Sequence, residues 1–193
     1  MDIRQLLFRY RSYTPLPFLL VMFVFAHSTP QSLIIGFLFV LAGESIRLWG
    51  VSIIGSETRT TGSAGGTHLI TTGPFAHVRN PLYLGNILLY VGLGIMSNAL
   101  VPWLTVAAVV FFFIQYSLIV TLEEEYLSRT FGSQFEEYVH EVPRFVPRFR
   151  KYKASAGPQI AGSLQRGLRS ETRTFQAILL ISLVLVVLWQ IRS

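Results

Sequence analysis

Apolar and polar positions alternate along this chain in long blocks rather than residue by residue. Five apolar blocks stand out, at residues 14–26, 31–55, 81–97, 99–122 and 174–191. Because a helix needs roughly 20 mainly apolar residues to cross the hydrocarbon core of a bilayer, these blocks predict about five transmembrane helices. The first block is short and either crosses with help from its flanks or is partly embedded. The third is short and glycine-rich, and it crosses with little tilt or incompletely.

Composition supports a membrane protein. The chain has 193 residues, of which 51% are hydrophobic and 13% charged, whereas about 25% of the residues of a soluble domain are charged. The absence of cysteine excludes disulfides and thiolate metal sites. Residues 1–28 resemble a signal peptide but lack a small-residue cleavage site, so we interpret them as a retained signal anchor.

The distribution of charge predicts the orientation. The net charge is +6, and arginines concentrate before the first apolar block and between the last two. Connections 27–32 and 97–100 are short and uncharged, whereas 56–80 and 123–173 carry nearly all the remaining charge. The positive-inside rule therefore places the N-terminus and the charged connections in the cytoplasm of an integral membrane protein. It also favours membrane lipids over nucleic acid as the partner of the basic residues.

The region after the fourth block has helical spacing. Gly132 interrupts it, which predicts two short helices lying on the cytoplasmic face of the membrane. Residues 149–173 are basic and weakly periodic, and they predict a linker that touches anionic headgroups before a separate last helix.

Candidate chemistry begins at the third apolar block. Asn80 followed by Pro81 is a strong helix start, with Asn80 as its cap. Arg79 lies beside that helix N-terminus, so the two together form a two-part anion site; the alternative is a lipid-phosphate contact. A Thr-Thr-Gly-Pro turn brings His68 towards Arg79.

Two other features of the same connection predict no site. Residues 62–67, GSAGGT, lack the spacing of a phosphate-binding loop and predict a flexible loop. His68 and His77 lack metal-ligand spacing and have no carboxylate cluster beside them, so we expect no metal.

Charged residues within or beside the apolar blocks are further candidates. Glu123 and Glu124 belong to a run of three glutamates whose side chains point about 100° apart on a helix, so at least one faces the protein. The glutamates either only keep the helix end in contact with water, or Glu123 or Glu124 binds a cationic group held between the two cytoplasmic loops. Glu44 and Arg47 lie three residues apart inside a span, where they either pair or contact substrate. Gly85, Gly92 and Gly94 predict close helix packing.

Two motifs together carry a family resemblance. Residues 68–85, HLITTGPFAHVRNPLYLG, and residues 123–147, EEEYLSRTFGSQFEEYVHEVPRFVP, resemble the isoprenylcysteine carboxyl methyltransferase and phospholipid methyltransferase superfamily over about 43–147. The resemblance implies an all-α polytopic membrane enzyme that binds S-adenosylmethionine without a Rossmann domain. It divides the chain into a methyltransferase core (1–148), a basic linker (149–173) and a C-terminal transmembrane helix (174–193).

The resemblance also implies which residues form the site. Arg79 and Glu124 are the expected catalytic pair, and Glu44 and Arg47 are candidates for the substrate side. The residues expected to bind the cofactor are His68, Leu69, Gly73, Arg79, Asn80, Pro81, Tyr83, Glu123 and Glu124.

The expected function is methyl transfer to a lipid or lipid-modified substrate at the cytoplasmic face, driven mainly by proximity and orientation. Family members often have histidine where this chain has Asn80. A carboxylate acceptor needs no base and a protonated amine does, which favours an O-acceptor, although His68 or His77 remains available. The alternatives are a phosphatidylethanolamine-type N-methyltransferase, an NADPH-dependent reductase resembling sterol reductases, and a non-catalytic membrane scaffold.

Overall fold

All regular structure in the described part of the chain is helical. The structure, a computed structural model, describes residues 2–54, 68–153 and 162–192, so the predicted loop 62–67 lies outside it, as does part of the predicted linker. Its seven α-helices are α1 (Ile3–Tyr10), α2 (Pro15–Val24), α3 (Pro30–Ile54), α4 (Pro81–Ser97), α5 (Trp103–Phe131), α6 (Ser133–Glu141) and α7 (Leu164–Arg192), and a 3₁₀ turn, Gly73–Ala76, precedes α4. This confirms the all-α prediction.

Three of these helices, α3, α5 and α7, are long and apolar enough to cross a membrane, and α2 and α4 are shorter apolar helices. Large apolar side chains such as Leu38 and Leu180 remain exposed on the outer faces of α3 and α7. Apolar side chains cover the outside of a helix bundle where lipid rather than water surrounds it. The structure therefore supports an integral membrane protein.

Glycines let α3 and α4 pack backbone against backbone. A Cβ atom added to Gly92 would lie 2.6 Å from the carbonyl oxygen of Gly36, and one added to Gly43 would lie 2.7 Å from that of Gly85. Gly94 lies equally close to α5, because its Cβ would be 2.5 Å from Oγ1 of Thr105. The predicted close packing at Gly85, Gly92 and Gly94 is confirmed.

The region after the fourth apolar block was predicted to form two separate short helices, and this prediction is wrong for the first of them. α5 continues without a break past residue 122 to Phe131, and Gly132, with φ +51°, separates it from α6. Only α6 is a separate short helix; the other is the last part of α5. Glutamate and leucine are good helix formers, and residues 123–131 contain no glycine or proline to stop the helix.

The last helix also begins earlier than the predicted residue 174. α7 starts at Leu164, where Ser163 N–H donates to the carbonyl oxygen of Ser52 at 2.8 Å. At its other end Arg192 donates to the carbonyl oxygen of Ala26 at 2.8 Å. α7 therefore runs along α3 from the end where α3 ends and α4 begins, which we call the loop end, to the opposite end of the bundle.

Candidate functional site

A cavity of about 910 Å³ runs down the middle of the bundle from the loop end. Its walls come from all seven helices and from the segment before α4. At the loop end the walls carry charged groups, among them Arg79, Glu123 and Glu124. At the opposite end they carry apolar groups such as Leu93 and Ile181. The cavity is therefore amphipathic along its length.

Glu124 is the centre of the charged cluster. Nε of Arg79 donates to Oε1 of Glu124 at 3.1 Å, and Nη2 of Arg79 lies 3.0 Å from the same oxygen. Nε of Arg144 donates to Oε1 at 3.3 Å, and Nη2 of Arg144 contacts Oε2. One carboxylate thus lies between two guanidinium groups, which gives the cluster a net positive charge of one.

The end of α6 and the segment that follows it hold Arg79 in place. The backbone N–H of Arg79 donates to the carbonyl oxygen of Pro143 at 2.9 Å, and its guanidinium donates to the carbonyl oxygen of Val139 at 3.1 Å and to that of Val142. Arg79 is therefore fixed from both its backbone and its side chain. A residue that makes so many bonds is pre-organised before any ligand arrives.

Asn80 does not cap α4 as predicted. It occupies the residue before Pro81, but its side chain makes no capping hydrogen bond; Nδ2 donates instead to the carbonyl oxygen of Arg144 at 3.2 Å. The docked segment after α6 competes for this side chain. Because Pro81 has no N–H to be capped, the helix start requires less of Asn80.

The turn before α4 is fixed by α6 and by the segment that follows it. The hydroxyl of Tyr138 donates to the carbonyl oxygen of Phe75 at 2.8 Å. Burial raises the pKa of the Tyr138 phenol, so it remains a donor. The ring of His77 pairs through Nδ1 with the carbonyl oxygen of Arg148 at 2.9 Å, which gives this histidine a structural role.

Glu123 faces the cavity beside Tyr83. The hydroxyl of Tyr83 donates to Oε1 of Glu123 at 2.9 Å, and the Tyr83 ring stacks on Tyr116 with ring centroids 4.5 Å apart. The neighbouring glutamates on α5 therefore have different surroundings: Glu124 binds two arginines, and Glu123 accepts from a phenol.

A second polar group lies deeper in the cavity. Nη2 of Arg47 donates to both carboxylate oxygens of Glu171, at 2.8 and 2.7 Å, and Nη1 contacts Oδ1 of Asn86. Nε of Arg47 lies 3.4 Å from Glu44, so the two residues pair as one of the two predicted alternatives had it. Asn86 in turn donates to the hydroxyl of Tyr116 at 3.2 Å.

Sequence reasoning missed Glu171 and Arg144 as members of these clusters. Glu171 was placed in the linker, whereas it is a buried residue of α7. Arg144 lies in the second motif, but no role at the site was predicted for it. If the helix of the last block is extended backwards by three turns, Glu171 falls on the same face as Thr174 and Ile178, and this spacing would have identified it.

Most of the predicted site residues line the cavity; they are Arg47, His68, Leu69, Arg79, Asn80, Pro81, Tyr83, Glu123 and Glu124. Gly73 and Glu44 are not among its lining residues. Gly73 has φ +62°, and a Cβ there would lie 3.0 Å from Ile53 and 3.3 Å from Trp49, so close packing and a left-handed backbone both require glycine. Within the described ranges no three His, Asp or Glu side chains are placed to hold a metal ion together.

Comparison with known proteins gives a family and three relatives. The profile of the family described as phospholipid methyltransferase matches residues 31–134. The nickel-cobalt-cadmium resistance protein NccN of Alcaligenes xylosoxydans xylosoxydans is 32% identical over 139 residues, 70% of this chain and 60% of NccN. The cobalt-zinc-cadmium resistance protein CzcN of Cupriavidus metallidurans is 30% identical over 146 residues, 72% of this chain and 63% of CzcN.

A more distant relative carries an enzyme name. The protein-S-isoprenylcysteine O-methyltransferase of Schizosaccharomyces pombe is 34% identical over 79 residues, 41% of this chain and 33% of that enzyme. The chain therefore matches somewhat more than half the length of the two metal-resistance proteins and a third of the enzyme. No solved structure matches the chain significantly.

Proposed function

The chain belongs to the phospholipid methyltransferase family, and we propose that it transfers a methyl group from S-adenosylmethionine to the polar head of a lipid or lipid-modified acceptor. The observation that carries this proposal is the amphipathic cavity. It joins the charged cluster at the loop end to an apolar part within the bundle, lined by residues such as Leu93 and Ile181, which we call the apolar limb. A soluble acceptor has no hydrocarbon chain that could occupy the apolar limb. A lipid acceptor would place its hydrocarbon chain in the apolar limb and its polar head at the charged end.

The residues at the charged end fit this cofactor. Its methionine moiety carries a carboxylate and an ammonium group, and its sulfonium carries a positive charge. Arg79 offers guanidinium donors to a carboxylate, and Glu123 offers an acceptor to a cation. Leu69, together with other apolar and aromatic lining residues, offers surface for an adenine ring. A Rossmann domain is not needed for any of these contacts.

The bound cofactor supplies a methyl group on a positively charged sulfur, which is a good leaving group. The chain supplies position. Arg79 is held by three backbone carbonyl contacts and by Glu124, and Tyr83 holds Glu123. Fixed groups of this kind keep two reactants in line, which can account for about 7–11 kcal/mol of a barrier without any acid or base.

We propose an oxygen acceptor, as in an isoprenylcysteine carboxyl methyltransferase. Asn80, where the family often has histidine, donates to a backbone carbonyl and has no proton-accepting nitrogen. His77 is bonded to the Arg148 carbonyl, which leaves His68 as the described imidazole on the cavity wall. The O-methyltransferase name of one relative supports the same choice. Phosphatidylethanolamine-type N-methylation is the second candidate.

We also propose that α2 and α4 complete five membrane crossings, with the loop end in the cytoplasm. Arg4, Arg9 and Arg11 lie in and just after α1, and further arginines follow α6. The positive-inside rule supports a cytoplasmic location for both. In this cysteine-free chain, Thr29→Cys should react with an impermeant thiol reagent from outside the cell, and Ser133→Cys should not.

The metal-resistance names of two relatives suggest a biological setting for the reaction. We propose that a contribution to metal tolerance would follow from methylation of a membrane component. A strain carrying the Glu124→Ala variant should then lose tolerance to cobalt or cadmium as fully as a deletion strain does. Equal tolerance of the variant and wild-type strains would show that metal tolerance does not depend on the charged cluster of the cavity.

The experiment that tests the proposed reaction follows a labelled methyl group. Membranes containing the wild-type protein are incubated with methyl-tritiated S-adenosylmethionine, and lipids are extracted and treated with base. We expect label in the lipid fraction that base releases as volatile methanol, as a methyl ester would. Base-stable label would indicate an amine acceptor. No label above that of Glu124→Ala membranes would contradict the proposal.

A further inference from the structure

The role of the last helix can be inferred from the cavity. α7 lies beyond residues 31–134, which match the family, yet Thr174, Ala177, Ile178 and Ile181 all line the cavity. These residues recur at three- and four-residue intervals and so share one face of α7. A helix that serves only as an anchor need not present one face to an internal cavity.

The part of the cavity that α7 faces is the apolar limb. Along α4, the lining residues run from Asn86, at the level of Arg47, to Gly94. Eight residues of helix between them correspond to a depth of roughly 12 Å. On the other walls the limb is lined by Leu19 and Met22 of α2 and by Ala108 of α5.

A buried ion pair fixes α7 at the top of this limb. Arg47 of α3 donates to both oxygens of Glu171, whose residue is 1% exposed, while Arg47 also contacts Asn86 of α4. Removing Glu171 would leave Arg47 with the longer carboxylate contact to Glu44, at 3.4 Å, and would break the ion pair that links α3 to α7. Three helices are thus joined at the level where the polar part of the cavity meets the apolar limb.

We propose that α7 is the acceptor-binding wall of the cavity, and that Glu171 is a positioning residue that holds this wall against α3. The ligand of the apolar limb is one hydrocarbon chain of an amphiphile whose polar head lies towards Arg79 and Glu124. This inference rests on the proposed function for the identity of that amphiphile as the acceptor. It does not rest on it for the binding of a hydrocarbon chain.

The test uses the purified protein and parinaric acid, a fluorescent fatty acid with a single chain. Ala177→Phe fills the limb, and Leu180→Phe places the same side chain on the exposed outer face of α7. We expect Ala177→Phe to weaken parinaric acid binding by at least about tenfold. Leu180→Phe should bind as the wild type does, and both variants should bind S-adenosylhomocysteine unchanged.

The positioning role of Glu171 has its own control. Glu171→Gln should weaken parinaric acid binding because α7 is less firmly held. A Cβ on Gly167 would lie 3.2 Å from Cβ of Ser52, close to the separation of about 3.5–4.5 Å in a disulfide. Adding Ser52→Cys and Gly167→Cys to the Glu171→Gln variant should restore binding after oxidation and lose it again after reduction.

Each outcome is decisive. Unchanged parinaric acid binding in Ala177→Phe, or no binding by the wild type, would overturn the proposal that α7 forms a wall of the binding site. α7 would then be an anchor or a contact between copies. Failure of the oxidised disulfide to restore binding would overturn the positioning role of Glu171. If the wild type bound parinaric acid but not S-adenosylhomocysteine, the proposed function would fail, and the hydrocarbon-binding role of α7 would stand without the identification of its ligand as a methyl acceptor.

Discussion

Neutralising Glu124 should measurably destabilise the protein, and the size of the effect follows from its surroundings. Glu124→Gln keeps the shape of the side chain and removes its charge. The side chains of Arg79 and Glu124 are 10% and 16% exposed, and that of Arg144 is 37% exposed. Three charge-assisted hydrogen bonds to Glu124 become weaker in the variant.

Each of those bonds loses roughly 1 kcal/mol when its acceptor becomes neutral. The two from Arg144 count for less, because a half-exposed ion pair is screened by solvent. We therefore expect Glu124→Gln to lower the free energy of unfolding by about 2 kcal/mol. The assay is reversible unfolding of the purified protein in mixed micelles with increasing dodecyl sulfate.

Glu125→Gln is the matched control for this prediction. Glu125 is the next residue of α5 and pairs with Arg4, but these side chains are 47% and 27% exposed. The free energy of unfolding of the control variant should stay close to that of the wild type, because solvent screens this exposed ion pair. If the two variants were equally stable, the hydrogen bonds of Glu124 with Arg79 and Arg144 would not contribute to the stability of the fold.

Three further predictions use the same preparation. Gly92→Leu should destabilise the protein by about 2–3 kcal/mol, because its Cβ would lie 2.6 Å from the carbonyl oxygen of Gly36 and force α3 and α4 apart; an unchanged unfolding curve would refute the close packing. Tyr83→Phe removes the donor to Glu123, so S-adenosylhomocysteine should bind about five- to tenfold more weakly and the free energy of unfolding should fall by about 1 kcal/mol; unchanged S-adenosylhomocysteine binding would refute the role given to Glu123. Burial raises the pKa of Tyr138 above its ordinary 10.0, so the unfolded chain loses this proton first, and the stability of the wild type should fall more steeply above that pH than the stability of Tyr138→Phe does. Parallel pH profiles for the two proteins would contradict the role given to Tyr138.

The helices themselves were predictable because membrane spans depend on local composition. Apolar length located α3 and α4 almost to the residue. The same criterion ended the fourth span at residue 122 and began the last at 174, whereas α5 and α7 continue into charged sequence at those ends. A helix can continue beyond the membrane into charged sequence. Hydrophobicity therefore locates the end of the apolar span but not the end of the helix.

The site was predictable where one motif contains it and unpredictable where distant segments meet. Arg79, Asn80, Pro81 and Tyr83 lie together at one helix start, and the structure places them on one cavity. The contact of Glu171 with Arg47, by contrast, joins residues that are far apart in the chain. Such pairings depend on how the helices pack, which no local pattern records.

The central claim is that the charged end of the cavity binds S-adenosylmethionine. Calorimetric titration of the purified protein with S-adenosylhomocysteine tests it most directly, with Glu124→Ala and Glu125→Ala alongside. We expect micromolar binding by the wild type and by Glu125→Ala, and none by Glu124→Ala. A well-folded wild-type protein that binds no S-adenosylhomocysteine would contradict the account and favour a reductase or a scaffold.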